Sequence, residues 1–436
     1  MITHDKATFS TFKLNLILLL VAVAGILAPI SSAIYFPALP DIQDNLRTTE
    51  PLVFLSASGF MLGMGLAPLA WGTISDAYGR RGVFLWTTAL FVLSSIGCGI
   101  SKTIELLISM RTLQGISSSA AMVTGVSVII EIFPATKRGS AIGMFLIGPL
   151  IGPIAGPILG GFLNQYFGWQ YIFWFLGGLG AVVLLCLLIY LPETLPDVQR
   201  KPYPFRINLF PPTICRTGPI LNPLLPLVYM KQAKVCLIVT YACLTFSAYH
   251  FVASIQVIVM KKVYNLSSFH VGLSYLPLGI GNIVGSTLGG YYSDAIMRYY
   301  TAYKPTQLCP EVRLYAIVFG IVAFLFGLVM AGFSLAHTLP LAVTLFAQFL
   351  IGFGMTNIFT GISTYLIDLF PCQSSSIMAC SACLRTVSAA VVSGLGPTLI
   401  NHLGYKSSYC IMAVFQLPGI IGLGFLVFSS SPNSSD

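Results

Sequence analysis

Charged residues are scarce in this sequence of 436 residues. Asp, Glu, Lys and Arg together account for 8% of the chain, whereas hydrophobic residues account for 56%. A soluble domain carries roughly 25% charged residues, because its surface must be solvated. A chain this poor in charge cannot keep its surface in water, so the composition excludes a soluble globular protein. It predicts a polytopic membrane protein whose main solvent is lipid.

Catalytic, metal-binding and nucleotide-binding patterns are also missing. The 5 histidines and 10 cysteines show no metal-ligand spacing and no disulfide framework, and we interpret Cys380 and Cys383 as small packing residues. No glycine-rich phosphate-binding loop and no Ser/His/Asp set occurs. The net charge of +9 comes from cations between apolar runs and not from a basic patch, which argues against nucleic acid. We therefore expect a monomeric protein that is not an enzyme and binds no cofactor or metal.

Apolar runs long enough to cross a bilayer occur in two sets of six. The first set lies near 14–34, 53–75, 83–101, 105–131, 140–163 and 170–191, and the second near 234–257, 270–292, 314–334, 339–366, 375–399 and 408–429. We therefore predict an all-α polytopic membrane protein with twelve transmembrane helices in two pseudo-symmetric six-helix bundles. The bundles are residues 1–191 and 234–436, and a Pro-rich, basic cytosolic linker, 192–233, joins them.

The distribution of Lys and Arg predicts which side of the membrane each loop faces. If both termini are cytosolic, 15 of the 22 lie on the inner side and 5 on the outer side. The other two, Arg111 and Arg385, lie within spans. Cytosolic loops of membrane proteins carry an excess of Lys and Arg. We therefore predict that both termini are cytosolic, and the predicted inner and outer faces are named on this basis below.

The two halves of the chain repeat each other. Residues 53–77 align with residues 271–295 at an offset of 218, and Glu131 to Pro134 align with Asp368 to Pro371 at an offset of 237. Repeated halves with matching motifs at matching depths are typical of transporters, whose binding site lies near the bilayer midplane between the halves.

A glycine-rich, charged loop ends the second span at the predicted inner face. Its key residues are Gly72, Asp76, Gly79, Arg80 and Arg81. Glycine permits a tight turn, an aspartate can accept hydrogen bonds from the N-terminus of a neighbouring helix, and arginines can lie at the lipid headgroups. This loop resembles the loop signature of the major facilitator superfamily, and the resemblance extends over almost the whole chain. In that family the loop acts as a conformational latch, which stabilises one state of the transporter.

The second half carries a partial copy of this latch loop. Gly290, Asp294 and Arg298 are retained, but Met297 stands at the position that corresponds to Gly79. The resemblance therefore implies a second latch that is weaker than the first.

Arg111 lies about a turn and a half inside the fourth span. A cation within a span costs at least about 2.5–3.5 kcal/mol unless it faces a polar interior, and the alternative is a side chain that snorkels to the headgroups. The surrounding segment, 107–115, resembles the superfamily's fourth-span motif, in which the arginine is tied to proton coupling. The resemblance implies that Arg111 and Asp41, at the outer edge of the first span, take part in proton coupling.

The fifth span carries a repeated glycine pattern with prolines. Its residues are Gly143, Gly152, Gly156, Pro157, Gly160 and Gly161. A generic packing face of small residues explains the glycines but not the repeated Gly-Pro steps. The pattern resembles the motif that marks antiporters within the superfamily. Together with the segment 35–41, it resembles the twelve-span drug:proton antiporter branch, including its fungal multidrug and organic-acid exporters.

No carboxylate lies at the centre of a predicted span, and this absence bears on the substrate. An organic cation in a low-dielectric cavity needs a negative partner. The spans that line the cavity in this superfamily instead offer a cation and neutral or titratable groups: Arg385, His250, Gln256, Gln348, Asn357 and Thr360. We expect these residues to bind an anionic, zwitterionic or neutral solute, with Arg385 as the anion contact.

These observations together predict a secondary active transporter. We expect it to export small organic molecules by alternating access in exchange for protons, with the substrate, protons and the lipid bilayer as its partners. An uncoupled facilitator or uniporter of the same fold is the alternative. The expected location is the plasma membrane, with the vacuolar membrane as a second option.

Overall fold

The described residues of the chain fold into helices and short connections. The computed structural model describes residues 10–194, 230–303, 310–370 and 374–429, and no strand occurs in these ranges. The helices are α1 (Thr11–Ala33), α2 (Leu39–Asn45), α3 (Glu50–Tyr78), α4 (Arg80–Gly99), α5 (Ile104–Ser118), α6 (Ala120–Ile132), α7 (Ala135–Tyr166), α8 (Gln170–Tyr190), α9 (Ala233–Lys262), α10 (Ser268–Leu273), α11 (Leu276–Tyr303), α12 (Val318–Ala336), α13 (Leu341–Leu369), α14 (Ser374–Val414) and α15 (Leu417–Ser429), with 3₁₀ turns at Phe36–Ala38 and Pro310–Ile317. The predicted all-α class is confirmed for these ranges.

Within the described ranges, 11 helical segments are long and apolar enough to cross a membrane. The prediction was twelve. The difference arises in the last segment, Ile377–Gly424, which runs for 48 residues. Its backbone leaves the helical conformation at Gly404, where φ is 74°. This break falls between the eleventh and twelfth apolar runs of the sequence.

The predicted linker, 192–233, falls mostly on residues 195–229, which lie outside the described residues. On either side of it, α8 ends at Tyr190 and α9 begins at Ala233. The predicted domain boundaries agree with these helix ends to within a few residues and remain a prediction.

The internal repeat is visible in the packing of the helices. In the first half, a Cβ atom at Gly63 of α3 would lie less than 3.0 Å from the backbone of Thr112 and Ile116 in α5. In the second half, a Cβ atom at Gly281 of α11 would lie equally close to the backbone of Phe349 and Phe353 in α13. Gly281 corresponds to Gly63 at the offset of 218. Phe349 and Phe353 correspond to Thr112 and Ile116 at the offset of 237.

The reverse contact repeats in the same way. Gly115 of α5 leaves no room for a side chain against the carbonyl oxygen of Phe60, and Gly352 of α13 leaves none against that of Leu278. The same helix pair therefore packs through the same two glycine contacts in each half. This agreement is far more specific than a general similarity of hydrophobic pattern.

The two halves meet along two lines of contact. Helix α14 packs against α3, where Gly394 lies against the side chain of Ser58. Helices α10 and α11 pack against α7, where Gly272 lies against the carbonyl group of Pro157. Glycine lets the backbones of neighbouring membrane helices approach closely, so small residues line the surface between the halves.

Candidate functional site

An ion pair joins the two halves at the predicted outer face. The Nζ atom of Lys261 in α9 lies 2.7 Å from the Oδ1 atom of Asp41 in α2. The other carboxylate oxygen, Oδ2, accepts hydrogen bonds from the side chains of Asn164 and Ser268. Asp41 therefore binds one side chain of its own half and two of the other half. Of these four residues, only Asp41 was predicted as a site residue.

A second ion pair joins the halves on the same face. The Nζ atom of Lys262 lies 3.4 Å from one carboxylate oxygen of Glu50, and the amide of Asn401 donates to the other at 3.3 Å. Phe54 and Ile258 line a small cleft beside the two pairs. The outer end of the contact between the halves is therefore closed by charge pairs above apolar side chains.

At the predicted inner face, Arg80 organises a cluster within the first half. Its guanidinium lies 2.5 Å from Asp76 and 3.0 Å from Glu131. Glu193 accepts the backbone N–H groups of Arg80 and Arg81 at 2.9 and 3.2 Å. These N–H groups begin α4, where the helix dipole favours a negative charge.

This arrangement corrects one expectation about the latch loop. The carboxylate at the helix N-terminus is that of Glu193, whereas Asp76 pairs with Arg80 on the adjacent turn. Gly79 has a φ of 94°, and a Cβ atom there would lie 2.5 Å from Glu193. The positive φ favours glycine at this position, whereas the contact is with the end of the flexible Glu193 side chain, which can move. Gly72 packs more loosely, with only Val123 within ordinary contact distance.

A matching cluster in the second half is organised by Arg313. Its guanidinium lies 2.5 Å from Asp368 and 3.1 Å from Asp294. Asp368 and Asp294 occupy the repeat positions of Glu131 and Asp76.

In the sequence, Arg298 is the retained cation of this second latch copy. Within the described part of the chain, its Nε atom donates to the backbone oxygen of Asp294, one turn earlier in the same helix, at 3.3 Å, and no ion pair of Arg298 occurs there. Gly290 meets only Thr360, at 4.0 Å. Arg313 is therefore the residue that the sequence reasoning missed. Its position just before α12, next to the inner face, was the available signal.

Arg111 is buried in the interior of the first half and does not snorkel. It is 0% exposed, and its Nη1 atom donates to the carbonyl oxygen of Ser31 at 3.2 Å and to the side-chain oxygen of Gln114 at 2.7 Å. The rings of Tyr35 and Phe60 each lie 4.4 Å from its Cζ atom. Its polar contacts join α1 to α5, and Asp41 is not among them.

The glycines of the fifth-span motif differ in which part of the protein they contact. Gly152, Gly156 and Gly160 lie against the backbone of α1 near Pro29, Ala33 and Ile34, and Gly161 lies against the backbone of Ser268 in the other half. Pro157 presents its carbonyl group to Gly272, also in the other half. Gly143 faces open space, so close packing accounts for the motif except at this residue.

The residues predicted to bind substrate fall into two groups. Gln256 donates to Gln348 at 2.9 Å and to Ser274 at 2.9 Å inside the second half, so its amide nitrogen is bonded, whereas its side-chain oxygen is buried without a partner. Asn357 is buried against the backbone of Gly320 and Gly289, and Thr360 donates to the carbonyl group of Thr356, one turn earlier. Of these four side chains, only Gln256 and Gln348 bond from one helix to another, and none of the four lines the cleft that Arg385 lines.

Arg385 has a different environment. Its Cζ atom lies 4.1 Å from the centre of the Phe359 ring and 4.7 Å from that of Phe246. The ring of His250 packs on the same Phe246, with centroids 4.4 Å apart. The structure therefore brings Arg385 and His250 to one aromatic ring, and Arg385 lines a small cleft beside that ring.

Comparison with known proteins identifies the family. The family model of the Major Facilitator Superfamily matches residues 21–306. The chain belongs to the Major Facilitator Superfamily. Citrate exporter 1 of Aspergillus niger is 31% identical to it over 433 residues, which cover 91% of this chain and 82% of the relative. The MFS antiporter QDR3 of Candida albicans is 24% identical over 537 residues, covering 94% and 77% of the two chains.

The fold agrees with this assignment. A solved POT family transporter in complex with 5-aminolevulinic acid superposes with a TM-score of 0.73 at 13% identity, covering 98% of each chain. This facilitator-superfamily protein is therefore a multi-pass membrane transporter of small molecules and not an enzyme.

Proposed function

We propose that this transporter exports small organic molecules by alternating access in exchange for protons. The main support is a difference in ion pairing between the outer and inner ends of the protein. At the predicted outer face, Lys261 and Lys262 pair with carboxylates of the opposite half. At the predicted inner face, Arg80 and Arg313 pair with carboxylates of their own half. In one state of an alternating-access cycle, ionic contacts join the halves at the outer end, whereas the contacts at the inner end stay within each half. The ion pairs follow this pattern.

The repeated helix contacts support movement of each half as a unit. Helices α3 and α5 pack through reciprocal glycine contacts, as do α11 and α13, so each half has its own close-packed framework. The surface between the halves has small residues and a few polar links, which can separate without disrupting either framework. The latch residues Gly72, Asp76, Gly79, Arg80 and Arg81, with Gly290, Asp294 and Arg298, lie at the inner ends of these frameworks. In this proposal they act as a latch that stabilises one conformational state of the transporter.

Asp41 is the group proposed to couple protons to this movement. Its carboxylate faces the ammonium group of Lys261, the amide of Asn164 and the hydroxyl of Ser268, and the Glu50–Lys262 pair lies on the same face. A proton on Asp41 removes the negative charge that binds Lys261, so protonation from the outer side weakens closure of the outer end. Arg111 acts indirectly, because it fixes α1, the helix that leads to Asp41.

The full chain provides the test. Expression in yeast depleted of its own transporters, followed by a metabolite and drug efflux screen, identifies a transported compound. Purified protein in liposomes then measures flux of that compound under an imposed pH gradient. Coupled exchange predicts that net flux follows the gradient and reverses with it. Flux that ignores the gradient would instead indicate the uncoupled uniporter.

A matched pair of variants tests the role of Asp41. Asp41→Asn removes the carboxylate between the halves, and we expect it to abolish the dependence of flux on the pH gradient. Asp44→Asn removes a carboxylate from the same short helix, where the side chain is exposed, and we expect it to leave this dependence intact. Gradient-driven flux in Asp41→Asn at the wild-type level would overturn the assignment of the proton site.

A further inference from the structure

Among the residues that the structure describes, no carboxylate pairs with Arg385. Its neighbours are the faces of two phenylalanine rings, and its Nε atom is buried without a hydrogen-bond partner. Aromatic faces attract a guanidinium group, but they do not satisfy its N–H donors. The side chain is half-buried, and a partly buried cation with an unpartnered N–H group is unfavourable for folding, so its presence here points to a ligand that completes the site.

The cleft beside Arg385 is otherwise apolar. Met355, Ile358, Phe359 and Phe246 form its walls, and no acidic residue lines it. Thr245 supplies a hydroxyl group, but this hydroxyl already bonds the Tyr241 carbonyl group and the Gln416 side chain, at 3.0 and 3.1 Å. The cleft therefore offers a ligand one charged, planar donor group and a hydrocarbon surface.

The cleft lies beside the surface between the halves. Phe246 packs against a small cluster that contains Met61 of α3, in the first half. Thr386, which follows Arg385 in α14, lies close to Gly65 of α3. A Cβ atom added at Gly65 would be 3.0 Å from the side chain of Thr386. Separation of α3 from α14 would therefore change access to the cleft, as a substrate site in a rocking transporter requires.

We propose that this cleft binds a small organic anion that carries one carboxylate on an apolar body. The inference rests on the proposed function, because it assigns the substrate class of that transporter. The guanidinium of Arg385 donates two parallel hydrogen bonds to the carboxylate, and the phenylalanine, methionine and isoleucine side chains cover the body. A polycarboxylate fits poorly, because its further charges would face apolar walls.

Binding to detergent-purified, full-length protein tests this proposal without a gradient or coupling. Benzoate is the probe, benzamide is its neutral isostere, and benzyltrimethylammonium and citrate represent a cation and a polycarboxylate. Benzoate is expected to bind most tightly and to raise the thermal unfolding midpoint. Arg385→Gln is expected to weaken benzoate binding by roughly tenfold or more, the effect of losing hydrogen bonds between charged groups. Arg385→Lys, which keeps the charge but not the planar fork, is expected to give an intermediate loss.

Two controls make the result decisive. Lys406→Gln removes an exposed cation near another phenylalanine, Phe333, and is expected to leave benzoate binding unchanged. Arg385→Met is expected to unfold at the wild-type temperature or above when no ligand is present, because it removes an unpaired charge. Four results would each overturn the proposal. Three concern binding: equal affinity for benzoate and benzamide, unchanged benzoate affinity in Arg385→Gln, or tighter binding of citrate or of the cation. The fourth is a lower unfolding midpoint in Arg385→Met. Loss of proton coupling in transport assays would overturn only the proposed function, because these binding measurements do not depend on it.

Discussion

The Nζ atom of Lys261 lies 2.7 Å from a carboxylate oxygen of Asp41, although the two residues are 220 positions apart in the chain. One belongs to each half, so this pair links the halves directly. Its charged atoms are 2.7 Å apart, against 3.4 Å in the Lys262–Glu50 pair; the two lysines are 22% and 59% exposed, and the two acids are 37% and 15% exposed. Water and salt screen a partly buried pair less than an exposed one. The Asp41 pair is therefore the stronger of the two links.

We predict that Lys261→Gln loosens the outer end of the transporter. The variant leaves Asp41 without its counter-ion and should raise leakage of substrate and protons from proteoliposomes several-fold. Exchange of the two charges, Asp41→Lys with Lys261→Asp, should restore part of the seal because the attraction is retained. Lys262→Gln serves as the control, with a smaller effect. Equal leakage in the two single lysine variants would contradict this ranking.

Two glycines of the fifth-span motif give a steric prediction. A Cβ atom at Gly160 would lie less than 3.0 Å from the carbonyl group of Ile34, whereas one at Gly143 would meet nothing within 4 Å. Gly160→Ala should therefore force α7 away from α1, at a cost of about 1–3 kcal/mol. We expect a lower thermal unfolding midpoint and loss of efflux. Gly143→Ala should match the wild type in both measurements, and a defect in that variant would show that packing does not explain the motif.

The cluster at the inner face of the second half predicts a difference between two arginines. Arg313→Gln leaves Asp294 and Asp368 without their shared cation, so we expect efflux to fall by at least about tenfold in yeast. Arg298→Gln removes only a 3.3 Å contact to a backbone oxygen and should retain most of the activity. Surface expression of both variants should be compared with that of the wild type. A greater loss in Arg298→Gln would restore the assignment made from the sequence motif.

Much of the fold was predictable from the sequence, because bilayer thickness sets the length of an apolar run. The internal repeat was predictable for a related reason. Two glycines that pack a pair of helices must recur wherever the same pair recurs, and Gly63 with Gly281 and Gly115 with Gly352 do so. The break at Gly404 could also be located, because it falls between two apolar runs.

The partners of the polar residues were much less predictable. Motif and span position identified Asp41, Arg385 and the inner-face acids, but not the residues that they meet. Gln256 and Gln348 illustrate the reason. Each was placed on a span that lines the cavity, yet they bond each other at 2.9 Å. Helical periodicity gives the side of a helix on which a residue lies, but the choice between a cavity and a neighbouring helix depends on how helices rotate in the packed bundle.

The final prediction concerns the buried arginine of the first half. Arg111 bonds Ser31 and Gln114 and lies between the rings of Tyr35 and Phe60. Lysine retains the charge but cannot make two directed bonds while lying flat between two rings. We therefore expect Arg111→Lys to insert and fold but to lose at least about tenfold in proton-driven flux, because α1 is no longer fixed relative to α5. Flux is measured in proteoliposomes and folding by the thermal unfolding midpoint.

A comparison with Gln114→Ala separates geometry from charge. This variant keeps Arg111 but removes the side-chain oxygen that accepts from it at 2.7 Å, and it also removes the donor to Ser95. If the orientation of the guanidinium group matters, Gln114→Ala should reduce flux in the same direction as Arg111→Lys, and the double variant should lose less than the two separate losses combined. Wild-type flux in Arg111→Lys would mean that a positive charge at this depth is sufficient, and the bonds to α1 would then have no part in transport.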